Sequence, residues 1–157
     1  MRKVLLMMLG TMMCSTLSWA GAPVPYPEGY RAWTHVKSMV IEPGHPLANP
    51  FQGIHHVYAN AKALAGLKTG RYADGAVLVF DLLHYQDKGH ALTEGQRKLV
   101  GVMVRDRQRY AATGGWGFEG FAGNSHTQRL TSDGGRACFE CHRSAKASGY
   151  VFSHWRP

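Results

Sequence analysis

The five residues Cys138-Phe139-Glu140-Cys141-His142, fifteen residues before the end of a 157-residue chain, constrain it more than any other stretch. Two cysteines spaced by two residues and followed by histidine form the attachment signature of c-type haem. The spacing has a chemical reason. Two thiols must reach the two vinyl groups on one edge of a porphyrin, and residues three apart share a helix face. His142 follows Cys141 directly, so its imidazole comes up beneath the iron as an axial ligand. Cys138 and Cys141 are therefore expected to bind one haem c covalently, with His142 as the metal ligand. Two other chemistries use such a pair and fit less well. A redox dithiol of the thioredoxin type follows a βαβ pattern, and none is visible. A structural zinc wants a second pair of ligands, for which only histidines are available.

The other end of the chain reads as an export signal. Met1-Arg2-Lys3 is a positive start, Val4 to Met13 is apolar, and Ser18-Trp19-Ala20 ends in a small residue suited to signal peptidase. The apolar run is well short of the roughly 20 residues that span a bilayer. Residues 1–20 are thus expected to be a signal peptide cleaved near Ala20. Residues 21–157 would then form a single periplasmic domain with no membrane span. Cys14 would leave with the signal, so Cys138 and Cys141 would be the mature chain's only cysteines. Loss of Arg2 and Lys3 takes the formal charge from +8 to +6. The remaining basic residues are scattered and form no nucleic-acid motif. They read as a solvated surface, or as a face that meets an acidic redox partner.

Between these ends the pattern is mixed. Tyr30, Trp33, Val36 and Val40 fall at helical spacing over 30–40. Pro43, Gly44, Pro46 and Pro50 mark 41–53 as a loop. Residues 54–59 alternate like a strand, and Asn60 is placed to cap a helix over 61–68 closed by Gly70. Asp74-Gly75 is a turn signal. Residues 76–85 read as a core strand, 86–95 as a polar loop, 99–104 as another strand and 116–121 as a fourth. Asp106 can cap a short helix through Ala112. Residues 137–147 read as the haem-binding helix, and 150–155 as a short aromatic terminal element. Four long amphipathic helices are missing, and Gly114-Gly115-Trp116-Gly117-Phe118 would break one. The expected class is α+β: a mainly antiparallel β-sheet with a few short helices and a C-terminal haem-binding helix, not a four-helix bundle.

Tyr30-Arg31-x-Trp33, Tyr58-Ala59-Asn60, Thr69-Gly70 before Asp74-Gly75-x-Val77-x-Val79, Val104-Arg105-Asp106, Gly115-Trp116-Gly117-Phe118 and the late Cys-x-x-Cys-His ahead of Val151-Phe152 together resemble the cytochrome P-460 family. The resemblance covers most of residues 28–156. It implies one of two kinds of protein, both usually dimers. One oxidises hydroxylamine and carries a lysine cross-linked to the porphyrin and a distal carboxylate. The other, cytochrome c'-beta, lacks the cross-link and keeps a five-coordinate haem that binds gases such as nitric oxide.

On this resemblance the cross-linking lysine is matched by Phe80 and the distal glutamate by Gly101. Phenylalanine has no amine to attack a meso carbon, and glycine has no carboxylate to take protons from a nitrogen substrate. What remains is similar to cytochrome c'-beta, whose two distal phenylalanines match Phe51 and Phe80. The resemblance thus implies a haem with His142 below and phenyl rings above, binding nitric oxide or carbon monoxide in a homodimer, with no catalytic residue. The alternatives are a hydroxylamine-oxidising enzyme and a low-spin electron carrier. Met39 and Met103 are possible sixth ligands for the latter, though a methionine in a valine-rich strand more often packs. His55 and His56 fall on opposite sheet faces by alternation. Lys62 and Lys68 belong to the expected helix and its end. Arg105 and Arg129 are candidate partners for haem propionates.

Overall fold

Antiparallel pairing organises the chain. The computed structural model describes residues 23–156, so the expected signal segment and Cys14 lie outside the described residues. Five strands pair in sequence order: β1 (Thr34–Ile41), β2 (Gly53–Ala59), β3 (Val77–Lys88), β4 (Ala91–Arg105) and β5 (Trp116–Ala122). Three short helices, α1 (Ala48–Phe51), α2 (Ala61–Thr69) and α3 (Arg136–His142), lie between or after them. This is the α+β class expected, and not a four-helix bundle.

Register decides which side chains meet. Val57 lies opposite Phe80, Phe80 opposite Gly101, and Gly101 opposite Gly120. Directly opposed residues share a face, and strand neighbours alternate between faces. One face therefore gathers Val57, Ala59, Leu78, Met103 and Phe118, which pack with Ala63 and Leu67 of α2 and Phe139 of α3. The other gathers Val79, Val100, Val102 and Phe121 under Val24, Tyr30 and Tyr110. The sheet is thus the middle layer between two apolar clusters.

The second face carries a buried charge that the sequence reading did not single out. Asp81 is completely buried. Its carboxylate accepts hydrogen bonds from the Tyr30 hydroxyl at 2.8 Å, Arg31 Nε and Nη2 at 3.1 and 2.9 Å, and Arg97 Nε at 2.7 Å. Two guanidinium groups and a phenol offset the cost of burying the anion. They also fasten the segment before β1 to the middle of β3.

Several elements differ from expectation. Only Tyr30–Ala32 is helical, as a single 3₁₀ turn, and Thr34–Ile41 is strand β1. A bulge between His35 and Lys37 shifts the register. It breaks the period of two and produces the helix-like spacing of Trp33, Val36 and Val40. Residues 86–95 are not a loop. Lys88 pairs with Ala91 across Gly89-His90, whose φ values are 63° and 61°. A two-residue turn with both φ positive matches the natural strand twist. The hairpin tip projects beyond both clusters and is exposed, so its polar composition reflects solvent rather than irregular backbone. The loop over 41–53 contains α1. Helix α2 forms as expected: the Asn60 side-chain Oδ1 accepts from Ala63 N at 2.9 Å, and Gly70 closes it in the left-handed region. Asp106 accepts from the amides of Gln108 and Arg109, but the segment makes turns and a 3₁₀ helix over Ala111–Thr113. The helix expected over 137–147 ends at His142 and continues as 3₁₀ turns over Arg143–Ser148. There Ser144 and Ser148 donate to the carbonyls of Cys141 and Ala145 and compete with the α pattern. Residues 150–156 carry no regular structure.

Replacing Asp81 with asparagine leaves two guanidinium groups facing a neutral amide. Urea unfolding of Asp81→Asn is expected to show a loss of about 3 kcal/mol or more. Asp87→Asn, on the exposed hairpin, is expected to stay within about 0.5 kcal/mol of the unmodified chain.

Candidate haem-binding site

Helix α3 is set on β5 by local chemistry. The Asp133 carboxylate accepts from the amides of Gly135, Arg136 and Ala137 at 3.0, 3.1 and 2.8 Å. These are donors that the first turn of a helix leaves without partners. Gly135 has φ 83°, and a Cβ there would collide with the Phe118 carbonyl. Only glycine lets the chain come so close to β5. Phe139 is then buried against Phe118.

Cys138 is half-buried and Cys141 exposed, and both thiols are free. Burial pushes the Cys138 thiol above its ordinary pKa. A redox dithiol needs the opposite shift, because its thiolate is the reactive form. Among the described residues no three His, Cys, Asp or Glu side chains converge as a metal-holding group, so a closed zinc site finds no further ligands.

His142 is the most specified residue of the site. Its Nδ1 lies 2.7 Å from the Tyr150 carbonyl oxygen. A carbonyl only accepts, so Nδ1 donates and carries the proton, and Nε2 keeps its lone pair. The ring stands between Phe118 and Phe152, with centroids 5.0 and 4.9 Å away. Burial holds its pKa below the usual histidine value, against the pull of the Tyr150 carbonyl. The imidazole is thus neutral, with its tautomer fixed by a backbone oxygen, as metal-ligating histidines are. Tyr150 takes φ 69°, a conformation that is strained for a non-glycine residue. That conformation accompanies a carbonyl aimed at His142.

Phe51 and Phe80 come together from different elements. Phe51 ends α1, and Lys98 of β4 holds that segment by donating to the carbonyls of Pro50 and Gln52 at 3.0 and 2.7 Å. At Gly53 a Cβ would run into the Leu83 carbonyl, so glycine is required where α1 enters the sheet. The Phe51 and Phe80 rings meet edge to face, with centroids 5.8 Å apart. Phe80 borders the same apolar cluster as Cys138. Gly101 lies directly across from Phe80, and a Cβ there would have Phe80 atoms as its nearest neighbours, at ordinary contact distances of 3.4 to 3.7 Å. A larger side chain at 101 would share Phe80's face.

A third ring belongs with these two. His55 shares the face of Phe80, and its imidazole centroid is 4.4 Å from the Phe80 ring. The alternation read from the sequence separates His55 from His56 but does not say which face is which. His56 turns to the other face, 2.6 Å from Ser38 Oγ and 2.7 Å from Glu94 Oε1. The signal for His55 was the pairing of β2 with β3, which no local pattern displays.

The remaining candidates have contacts of their own, on and off the face of Phe80. Met103 is buried in the first cluster. Met39 lies across β1–β2 from His55 and is 37% exposed. Lys62 donates to the Asp74 carbonyl, and Lys68 lies over the Trp155 ring. Arg105 donates to the Gly114 carbonyl, and Arg129 to the Val24 carbonyl and the Glu119 carboxylate. Arg105 Nε has no hydrogen-bond partner among the described residues.

The donor set fits a haem. Two free thiols and a tautomer-fixed imidazole lie on one short helix, and Phe80, half-exposed and in contact with Phe51, borders the same apolar cluster as Cys138. Asp133→Ala is expected to lower stability by about 1 kcal/mol, as loss of a helix-capping oxygen does. The three amides hold the Asp133 pKa below its ordinary value. This contribution is therefore present above the usual carboxylate pKa and fades as pH falls below it. Thermal melts of both proteins, run from neutral to acid pH, should converge at the acid end.

The family model described as Cytochrome P460 matches residues 27–153. A search of curated proteins finds no match. The family match spans most of the chain and includes α3 and its donors, and the family implies a haem cofactor. This chain belongs to the cytochrome P460 family.

Proposed function

We propose that the protein is an exported c-type cytochrome that binds small gases at its haem, in the manner of cytochrome c'-beta. In this reading Cys138 and Cys141 form thioethers to one haem and His142 is the only protein ligand to its iron. The bound haem supplies an iron with one open position for nitric oxide or carbon monoxide. The single observation that carries the reading is the edge-to-face pair of Phe51 and Phe80, with Gly101 beside it. These are the positions at which a cross-linking amine and a distal carboxylate would stand in a hydroxylamine-oxidising relative. Phe80 brings no amine and Gly101 brings no carboxylate, so the chain lacks the groups for that chemistry at those places.

The chain's own residues have simple tasks in this reading. His142 presents Nε2 because Tyr150 holds Nδ1. Phe51 and Phe80 exclude water by filling the space with hydrocarbon. Lys98 keeps Phe51 from swinging out by holding the carbonyls on either side of it. Export to the periplasm, cleavage near Ala20 and assembly as a homodimer belong to the same proposal, as does an acidic redox partner for the basic surface.

The test is an absorption spectrum of the ferrous protein before and after nitric oxide, together with the intact mass. The expected result is a five-coordinate, high-spin spectrum that changes on adding the gas, and a mass equal to residues 21–157 plus one haem. A six-coordinate, low-spin spectrum without added ligand would overturn it. A mass deficit and a red-shifted ferrous band, signs of an amine cross-link, would favour the hydroxylamine-oxidising alternative.

A further inference from the structure

His55 is an anomaly in an otherwise ordinary core. It is 3% exposed. Its Nδ1 is buried without a hydrogen-bond partner among the described residues. Leaving a buried polar atom unpaired has a free-energy cost that an apolar side chain of similar size avoids. A leucine or phenylalanine would satisfy the packing of β2 at that position. His56 Nε2 and Arg105 Nε also lack a hydrogen-bond partner among the described residues, but His56 Nε2 lies 2.7 Å from the Glu94 carboxylate and Arg105 has its Nη1 on the Gly114 carbonyl, whereas His55 has no polar contact.

Its surroundings hold it still and keep it neutral. Leu82 lies opposite it on β3 and Met39 opposite it on β1. Its ring lies 4.4 Å from that of Phe80, tilted by 35°. Burial, aided by the charges of Lys37 and His56, lowers its pKa to about 4. A neutral imidazole has one N–H and one lone pair, and the nitrogen at Nδ1 is not used by the fold.

We infer that His55 is a hydrogen-bond donor to the ligand that the haem binds on the side of Phe51 and Phe80. The inference rests on the gas-binding reading above and changes its character. The distal side is not all hydrocarbon but carries one polar corner beside Phe80. Such a corner favours ligands whose far atom accepts a hydrogen bond, such as an anion or a polarised diatomic, over carbon monoxide, which accepts weakly. His55 is then a residue that sets ligand preference.

The experiment uses the haem-loaded protein, His55→Leu and His55→Gln, with carbon monoxide and fluoride as probes. The carbonyl stretch of the ferrous carbon monoxide complex is expected at lower frequency in the unmodified protein than in His55→Leu, with His55→Gln between them. Fluoride should bind the ferric His55→Leu protein about tenfold more weakly, the loss of roughly one hydrogen bond. Thermal melts add a readout independent of ligand: His55→Leu should be at least as stable as the unmodified protein, since it removes an unpaired polar group. Carbon monoxide complexes with the same stretch in all three proteins would overturn the inference and leave the gas-binding reading intact. So would a marked loss of stability in His55→Leu with unchanged ligand binding. A low-spin resting protein that turns high-spin only in His55→Leu would make His55 an iron ligand and overturn both. So would a failure of all three proteins to take up carbon monoxide.

Discussion

The register between β2, β3 and β4 is the constraint on which everything else depends. Successive residues of a strand point to opposite faces, so a slip of one residue would invert every assignment. Phe80 and Asp81 are neighbours on β3. One turns toward Gly101 and Phe51, and the other into the ring of Tyr30, Arg31 and Arg97. A buried carboxylate without its guanidinium partners costs several kcal/mol. The ion network on one face therefore opposes any slip of β3 that would remove Phe80 from the other. Stability and site presentation are two readings of the same pairing.

The two halves of the site are built on different length scales. The lower half is local: Asp133, Cys138, Cys141, His142 and Tyr150 lie within one short stretch of chain. The upper half is assembled from α1, β2, β3 and β4, and it needs the register, the Gly53 entry and the Lys98 clamp all at once. This difference explains what could be read in advance. The motif at 138–142 carries its chemistry in its own spacing, and Asn60 and Gly70 bracket α2 by capping rules that involve only neighbours. The hairpin over 86–95 was illegible because its tip lies beyond both clusters and shows no apolar alternation. The helix expected over 30–40 was a misreading caused by a bulge. Phe51 and Phe80 were placed by family resemblance, and nothing in their local sequence distinguishes them from core residues. Asp81 went unnamed and His55 was named without its surroundings for one shared reason: each is defined by partners, or by the lack of one, that are distant in sequence.

Two local anomalies involve residues of the proposed site. Tyr150 takes a left-handed backbone conformation, and its carbonyl meets His142. His55 buries an imidazole nitrogen that nothing among the described residues satisfies. Both are features that folding alone would remove, the first with glycine and the second with leucine. Strain and unpaired polar atoms that persist in a packed structure tend to mark functional positions. The His142 anomaly is already explained, since fixing the tautomer requires that carbonyl. Applied to His55, the same logic points to something outside the protein chain that completes its hydrogen bonding. Phe80 lies tilted against the imidazole, and an acceptor arriving beside Phe80 would meet a polar group that the fold has left open.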